Sequence, residues 1–229
     1  MTRTQLISVI GLVLGIAAIV FFWPTQSPEP TPLNESPEKQ ASVEAKAPTS
    51  PPKMSPPKVK VAEVDGETHK FVERSYDPPF VLPQFTKQPT LNERKTVEST
   101  LAVYTSAMQQ SNWNWWFSMW DKKSQEAITQ MDKYNNGHSG KSHFKKNLLA
   151  GWKQFYAGRR HELVTKIEIP GYTIVYLRRE GEPDDSRELL APVVLKKEAE
   201  RWVMTHDLQE HLIPNLRITE RNVQVRTLQ

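Results

Sequence analysis

"HELVTKIEIPGYTIVYLRRE", His161 to Glu180, is the stretch whose reading decides the fold. Upstream of it, apolar residues recur at helical spacing. Within it the period drops to two, and β-branched and aromatic residues dominate, as strands require. Pro170-Gly171 divides the stretch into two runs, with a connection so short that the runs must be antiparallel neighbours. Two more runs follow, "ELLAPVVLKK" from Glu188 and "RWVMTHDLQ" from Arg201, set off by the turn signals "GEPDDS" and "KEAE". These predict four strands in an antiparallel meander. The remaining "NLRITERNVQVRTLQ" is expected to add a short strand or to form a tail.

Working backwards, "TLNE" at Thr90–Glu93 fits a capping box. After it, Val97, Leu101, Tyr104 and Met108 form the stripe of an amphipathic helix. "SNWNWWFSMWDKK", Ser111 to Lys123, holds four of the seven tryptophans. On one continuous helix Trp113, Trp116, Phe117 and Trp120 share a face with Ala127 and Met131, which is core patterning. Trp115 and Met119 fall opposite, either covered by the protein's own chain or forming a patch for a partner. A loop is expected at "KYNNGHSGKS", then a third helix capped by Ser142, with Phe144, Leu148, Trp152 and Phe155 on one face and Gly158 as its stop. The expected class is α+β, three helices packed on a four-stranded sheet.

Chemistry is sparse in this pattern. "GKS" at Gly140 lacks the glycine of a phosphate loop five positions earlier, where Asn135 stands. The histidines show no metal-ligand spacing, there is no G-x-S-x-G, and no catalytic set, metal or cofactor is assigned. With no cysteine, the fold uses neither disulfides nor a thiol nucleophile. In the last strand His206 shares a face with Trp202, Met204 and Leu208, which makes it a candidate pocket base near neutral pH. Tyr104 is a second candidate pocket group. A net charge of +4, with basic and acidic residues interleaved, argues against a nucleic-acid partner.

Three helices followed by an antiparallel meander, over roughly Thr90 to Ile213, resembles the nuclear transport factor 2-like (cystatin-like cone) superfamily. The matching features are the Trp-rich second helix, "FKKNLLAGWKQFYAG", and the strand run from Leu163 to Leu208. The resemblance implies a curved sheet wrapped around a helix, often with a conical pocket. Some members are enzymes and many only bind or assemble.

The N-terminal part reads differently. Leu6 to Trp23, "LISVIGLVLGIAAIVFFW", is 18 residues without a charge. As a helix it would be roughly 27 Å long, enough to cross a bilayer core. Arg3 precedes it and the first charges after it are acidic, which places residues 1–5 in the cytoplasm and the bulk of the chain outside. Gly11 and Gly15 form a G-x-x-x-G face that suits a homodimer of such helices. From Pro24 to Pro89 lie 14 of 18 prolines, so residues 24–70 are expected to form a disordered tether. Residues 71–89 carry apolar side chains suited to lying on the domain, taken as 90–213, with 214–229 a last strand or tail. The expected function is a non-enzymatic, single-pass inner-membrane protein that presents a periplasmic interaction domain to other envelope proteins. That layout is similar to the bitopic scaffold subunits of bacterial type IV secretion and conjugation machines. The alternative is a tethered enzyme or small-ligand binder using the cone's pocket.

Overall fold

The computed structural model describes residues 52–64, 67–139, 143–182, 192–208, 212–215 and 224–228. All belong to one of two compact units, Lys46–Gln229; the other, Met1–Ala45, lies outside the described residues. Two strands come first, β1 (Lys58–Val64) and β2 (Glu67–Val81). A helical layer follows: a 3-10 turn at Leu91–Arg94, then α1 (Val97–Gln109), α2 (Trp113–Phe117), α3 (Lys122–Ser139) and α4 (His143–Phe155). Strands β3 (His161–Ile169), β4 (Tyr172–Arg179), β5 (Val193–Glu198) and β6 (Arg201–Met204) come next, then the one-turn α5 (Leu212–Asn215) and β7 (Gln224–Thr227).

All seven strands join one antiparallel sheet in the order β6-β5-β4-β3-β2-β1-β7. This corrects the expected three helices on a four-stranded sheet. The four expected strands are present as β3 to β6, although β6 ends at Met204, before His206 and Leu208, and β1, β2 and β7 extend them. Strand β7 falls in the segment expected to be a short strand or a tail; β2 escapes a reading of the sequence because of its prolines. Pro78 and Pro79 cannot donate to a ladder, yet they lie inside β2, where the register shifts between Ser75 and Phe80 and no ladder hydrogen bond is needed. Strand β1 lies within the stretch expected to be a disordered tether, and its alternating "KVKVAEV" pairs with β2 on one side and β7 on the other.

The bulge also aims a side chain. Tyr76 is buried there, and its hydroxyl donates to Glu98 Oε1 on α1 at 2.7 Å, tying sheet to helix. Burial and the Glu98 carboxylate push the Tyr76 hydroxyl pKa up, so it stays a donor. Helix α1 starts at Thr96, not Thr90: Thr96 Oγ1 accepts from the Ser99 N–H at 3.1 Å, and Ser99 Oγ accepts from the Thr96 N–H at 3.2 Å. Thr90 heads only the 3-10 turn and forms no capping box there, its hydroxyl donating to the Glu93 carboxylate. The stretch expected to be a loop after Lys133 is helical as far as Ser139.

Strand β4 is buried without interruption from Thr173 to Leu177, so both of its faces are covered. On one face Ile174 and Tyr176 pack with Ile167, Phe71, Ala62, Leu208 and Ile213, and the Tyr176 hydroxyl donates to Pro214 O at 3.2 Å. On the other, Thr173, Leu195 and Met204 stand in register across β4, β5 and β6. Burying side chains of this size stabilises the fold by about 1.5–3 kcal/mol each. Gly171 takes φ +82° in the β3–β4 turn and Gly158 φ +68° after α4, left-handed positions that suit glycine. No helix among the described residues is long and apolar enough to cross a membrane; the expected span Leu6–Trp23, with Gly11 and Gly15, lies outside them.

Candidate functional site

The tryptophan segment is not one helix. Helix α2 ends at Phe117, and residues 119–121 run as a short extended piece beside β6 before α3 begins. Met204 N donates to Met119 O and Asp121 N donates to Met204 O, both at 2.9 Å, so this piece covers the end of the sheet. Two side chains make the break stable. Asp121 Oδ1 accepts from the Ser124 N–H at 2.6 Å, which is an N-cap for α3. Gln125 Nε2 donates to Phe117 O at 3.1 Å and Trp120 O at 3.0 Å, satisfying carbonyls where the chain leaves α2.

Around Asp121 lies a cluster of charges from four parts of the chain. Lys196 Nζ of β5 is 2.7 Å from Asp121 Oδ2 and 2.9 Å from Asp207 Oδ2. Lys123 Nζ is 2.7 Å from Asp207 Oδ1, and the Tyr172 hydroxyl is 3.4 Å from Asp207 Oδ2. Hydrogen bonds from Lys123 hold the Asp207 carboxyl well below the usual range, helped by Lys196. Burial opposes ionisation of Asp121, but hydrogen bonds from Lys196, Thr205 and Ser124 outweigh it and lower its pKa. The two carboxylates in turn raise Lys196 against the cost of its own burial. Every charge in this cluster has a partner.

Trp120 joins the two residues proposed as pocket groups. The His206 ring lies 4.2 Å from the Trp120 ring, tilted by 38°, and Tyr104 meets Trp120 edge-on at 6.4 Å. Burial lowers the His206 pKa to about 4, with Asp121 and Asp207 opposing it, so the imidazole is neutral at pH 7. Burial pushes the Tyr104 hydroxyl up. The aromatic chain continues from Trp120 to Trp116 at 5.3 Å, and from Trp116 to Trp152 and Trp113 at 5.2 Å each. Such pairs add about 0.5–1.5 kcal/mol beyond area burial.

On the other side of Asp121 is a cavity of about 470 Å³, in the size range of small-molecule sites. Its wall includes Arg94, Trp120, Gln125 and Arg201. Arg94 is 4% exposed, and its Nη1 donates to Ser118 O at 3.1 Å and to Met119 Sδ at 3.5 Å. Burial and the nearby positive charge of Arg201 lower the Arg94 pKa. Among the described residues, no carboxylate pairs with Arg94 or Arg201.

Tyr104 and His206 thus meet the same indole, though neither lines this cavity. Trp115 and Met119 are each 1% exposed, so the chain itself covers them and they form no surface patch. What the sequence reading missed is Asp121. The available signal was an Asp three residues before Ser124, inside an otherwise helical pattern, a residue type that favours an N-cap. Arg94 and Arg201 carried no signal at all. Among the described residues, no three His, Asp or Glu side chains come together as metal ligands. Comparison with models of known protein families, with curated proteins and with solved structures finds no match, and the functional reading therefore rests on the side chains themselves.

Proposed function

We propose that this chain is a non-enzymatic, single-pass inner-membrane protein that holds an interaction domain in the periplasm, as a component or accessory of an envelope assembly such as a secretion or conjugation machine. Leu6–Trp23 anchors it, and the proline-rich stretch that follows gives the domain reach. The likeness to bitopic scaffold subunits supports the same layout. The observation that carries a binding role over a catalytic one is the state of His206 and Asp207, the pair nearest to acid–base chemistry. The Asp207 carboxylate is taken by Lys123 and Lys196, and the His206 imidazole lies against Trp120. Asp207 is therefore not a free proton acceptor, and His206 Nδ1, which has no hydrogen-bond partner, is buried away from any dissolved substrate.

The chain has no cysteine, so single reporters can be placed freely. Lys87 is exposed in the domain and Thr4 precedes the apolar run. In intact cells with a permeable outer membrane, a membrane-impermeant maleimide is expected to label Lys87→Cys, and to label Thr4→Cys only after lysis. The opposite pattern, or recovery of the chain without membranes, overturns the proposal.

A further inference from the structure

Two charge clusters share Asp121, and only one of them is complete. A guanidinium that is 4% exposed is normally paired, because an uncompensated buried charge is costly. Arg94 breaks that pattern. Its Nη1 is spent on a backbone carbonyl and a thioether, and a second guanidinium, Arg201, stands close enough to disfavour its charge. The two carboxylates in the same wall do not relieve it. Asp121 is committed to Lys196 and Ser124; Glu198 stands opposite Arg201 across β5 and β6 but makes no ion pair with it, its ion pair among the described residues being with Lys196 at 3.9 Å. Trp120 adds an indole whose Nε1–H is buried with no acceptor.

From this geometry we infer that the cavity bounded by Arg94, Arg201 and Trp120 is a binding site for a carboxylate attached to a flat apolar group. The two guanidinia supply planar donor forks that match a carboxylate, and Trp120 supplies the surface for the flat group. A phosphate is disfavoured, since its second negative charge must sit beside Asp121 and Glu198. Gln125 cannot take the place of the arginines as a donor, because its amide nitrogen already serves Phe117 O and Trp120 O. The site lies wholly within the described domain, so it stands whether or not the membrane placement holds.

The test uses the full chain in detergent, titrated with benzoate and followed by calorimetry and by thermal unfolding. Benzoate is expected to bind saturably and to raise the unfolding temperature, whereas benzyl alcohol does neither. Arg201→Gln is expected to weaken benzoate about tenfold or more, the loss of one charge-assisted contact. The unfolding temperature of that variant without ligand reports whether it is folded. Arg94→Gln is the less clean variant, because Arg94 also supports Ser118 and Met119. A free acid and the end of a polypeptide offer the same carboxylate. N-acetylphenylalanine binding more tightly than benzoate, with its amide inert, assigns the chain end; the reverse order assigns a free acid. No saturable binding by either probe, equal binding to folded Arg201→Gln, or tighter binding of inorganic phosphate overturns the inference.

Discussion

The two clusters that meet at Asp121 were built from the same residue types and came out opposite. In one, Lys196 lies between Asp121 and Asp207, with Lys123 closing the outer side, so positive and negative groups alternate within 2.9 Å. In the other, Arg94 and Arg201 face one cavity and, among the described residues, neither forms an ion pair, although Glu198 stands opposite Arg201 in the sheet. The closed cluster holds the sheet end, the helix cap and the chain after β6 together. The open cluster contributes no such joint and has charge left over. The difference teaches where structure ends and recognition begins in this domain: charge that is neutralised internally stabilises, and charge that is not is available to a ligand.

Asp121 gives the sharpest way to break that contrast. It is 2% exposed, caps α3, and balances Lys196. Asp121→Ala leaves Lys196 with Asp207 and the more distant Glu198, and frees the Ser124 N–H. The expected loss is on the order of 3–5 kcal/mol, the usual result of removing one partner of a buried pair. Urea unfolding with an unchanged slope measures it. A loss near zero means that the closed cluster holds nothing together.

Acid separates the two clusters next, because arginines do not titrate there while the closed cluster and its neighbours do. Burial holds His206 and His161 at about 4, below the ordinary imidazole value of about 6.5. For His161 the charges of Arg179 and Arg159 add to that effect. The folded protein therefore binds fewer protons than the unfolded chain between pH 6.5 and 4, and stability falls as pH drops through that window. Asp207 and Asp121 are lowered by their cations, so their contribution is present above the ordinary carboxylate range and is lost at still lower pH. His161 is 1% exposed and stacks on Tyr156. His161→Phe is expected to flatten the first stage by up to about 3 kcal/mol and to leave the second unchanged. Unfolding measured in urea at stepped pH distinguishes the stages; a wild-type protein with no decline above pH 4 refutes the assignment.

How much of this was legible follows the same division between local and distant causes. Strands β3 to β6 were readable because each is a run of β-branched and aromatic residues bounded by its own turn, Pro170-Gly171 above all. Strand β1 was hidden because the prolines before it signal a spacer, and β2 because of its own, and only pairing across the sheet shows that Pro78 and Pro79 occupy a bulge. The tryptophan segment read as one helix because periodicity cannot register a short detour, residues 118–121, pinned by Met204. The site depended on the most distant information. Lys123 and Asp207 are 84 positions apart, and nothing near either residue announces the other.

The smallest expected effects test the contrast by their sign. Lys123 is 79% exposed in its pair with Asp207, which is also held by Lys196. Lys123→Ala removes a favourable but solvent-screened contact, so the urea midpoint should fall slightly, and the fall should vanish in high salt. Arg201→Gln also removes one surface-proximal positive charge from a neighbouring position, but from beside Arg94. Here the repulsion from Arg94 is lost while Glu198, opposite Arg201 in the sheet, holds it by no ion pair, so the midpoint should stay level or rise by less than about 0.5 kcal/mol equivalent, with the rise largest at low salt. Net charge changes by the same amount in both variants, so a general charge effect moves both midpoints in one direction. Opposite directions come from the local surroundings, one cation ion-paired with a carboxylate and the other unpaired beside a second cation.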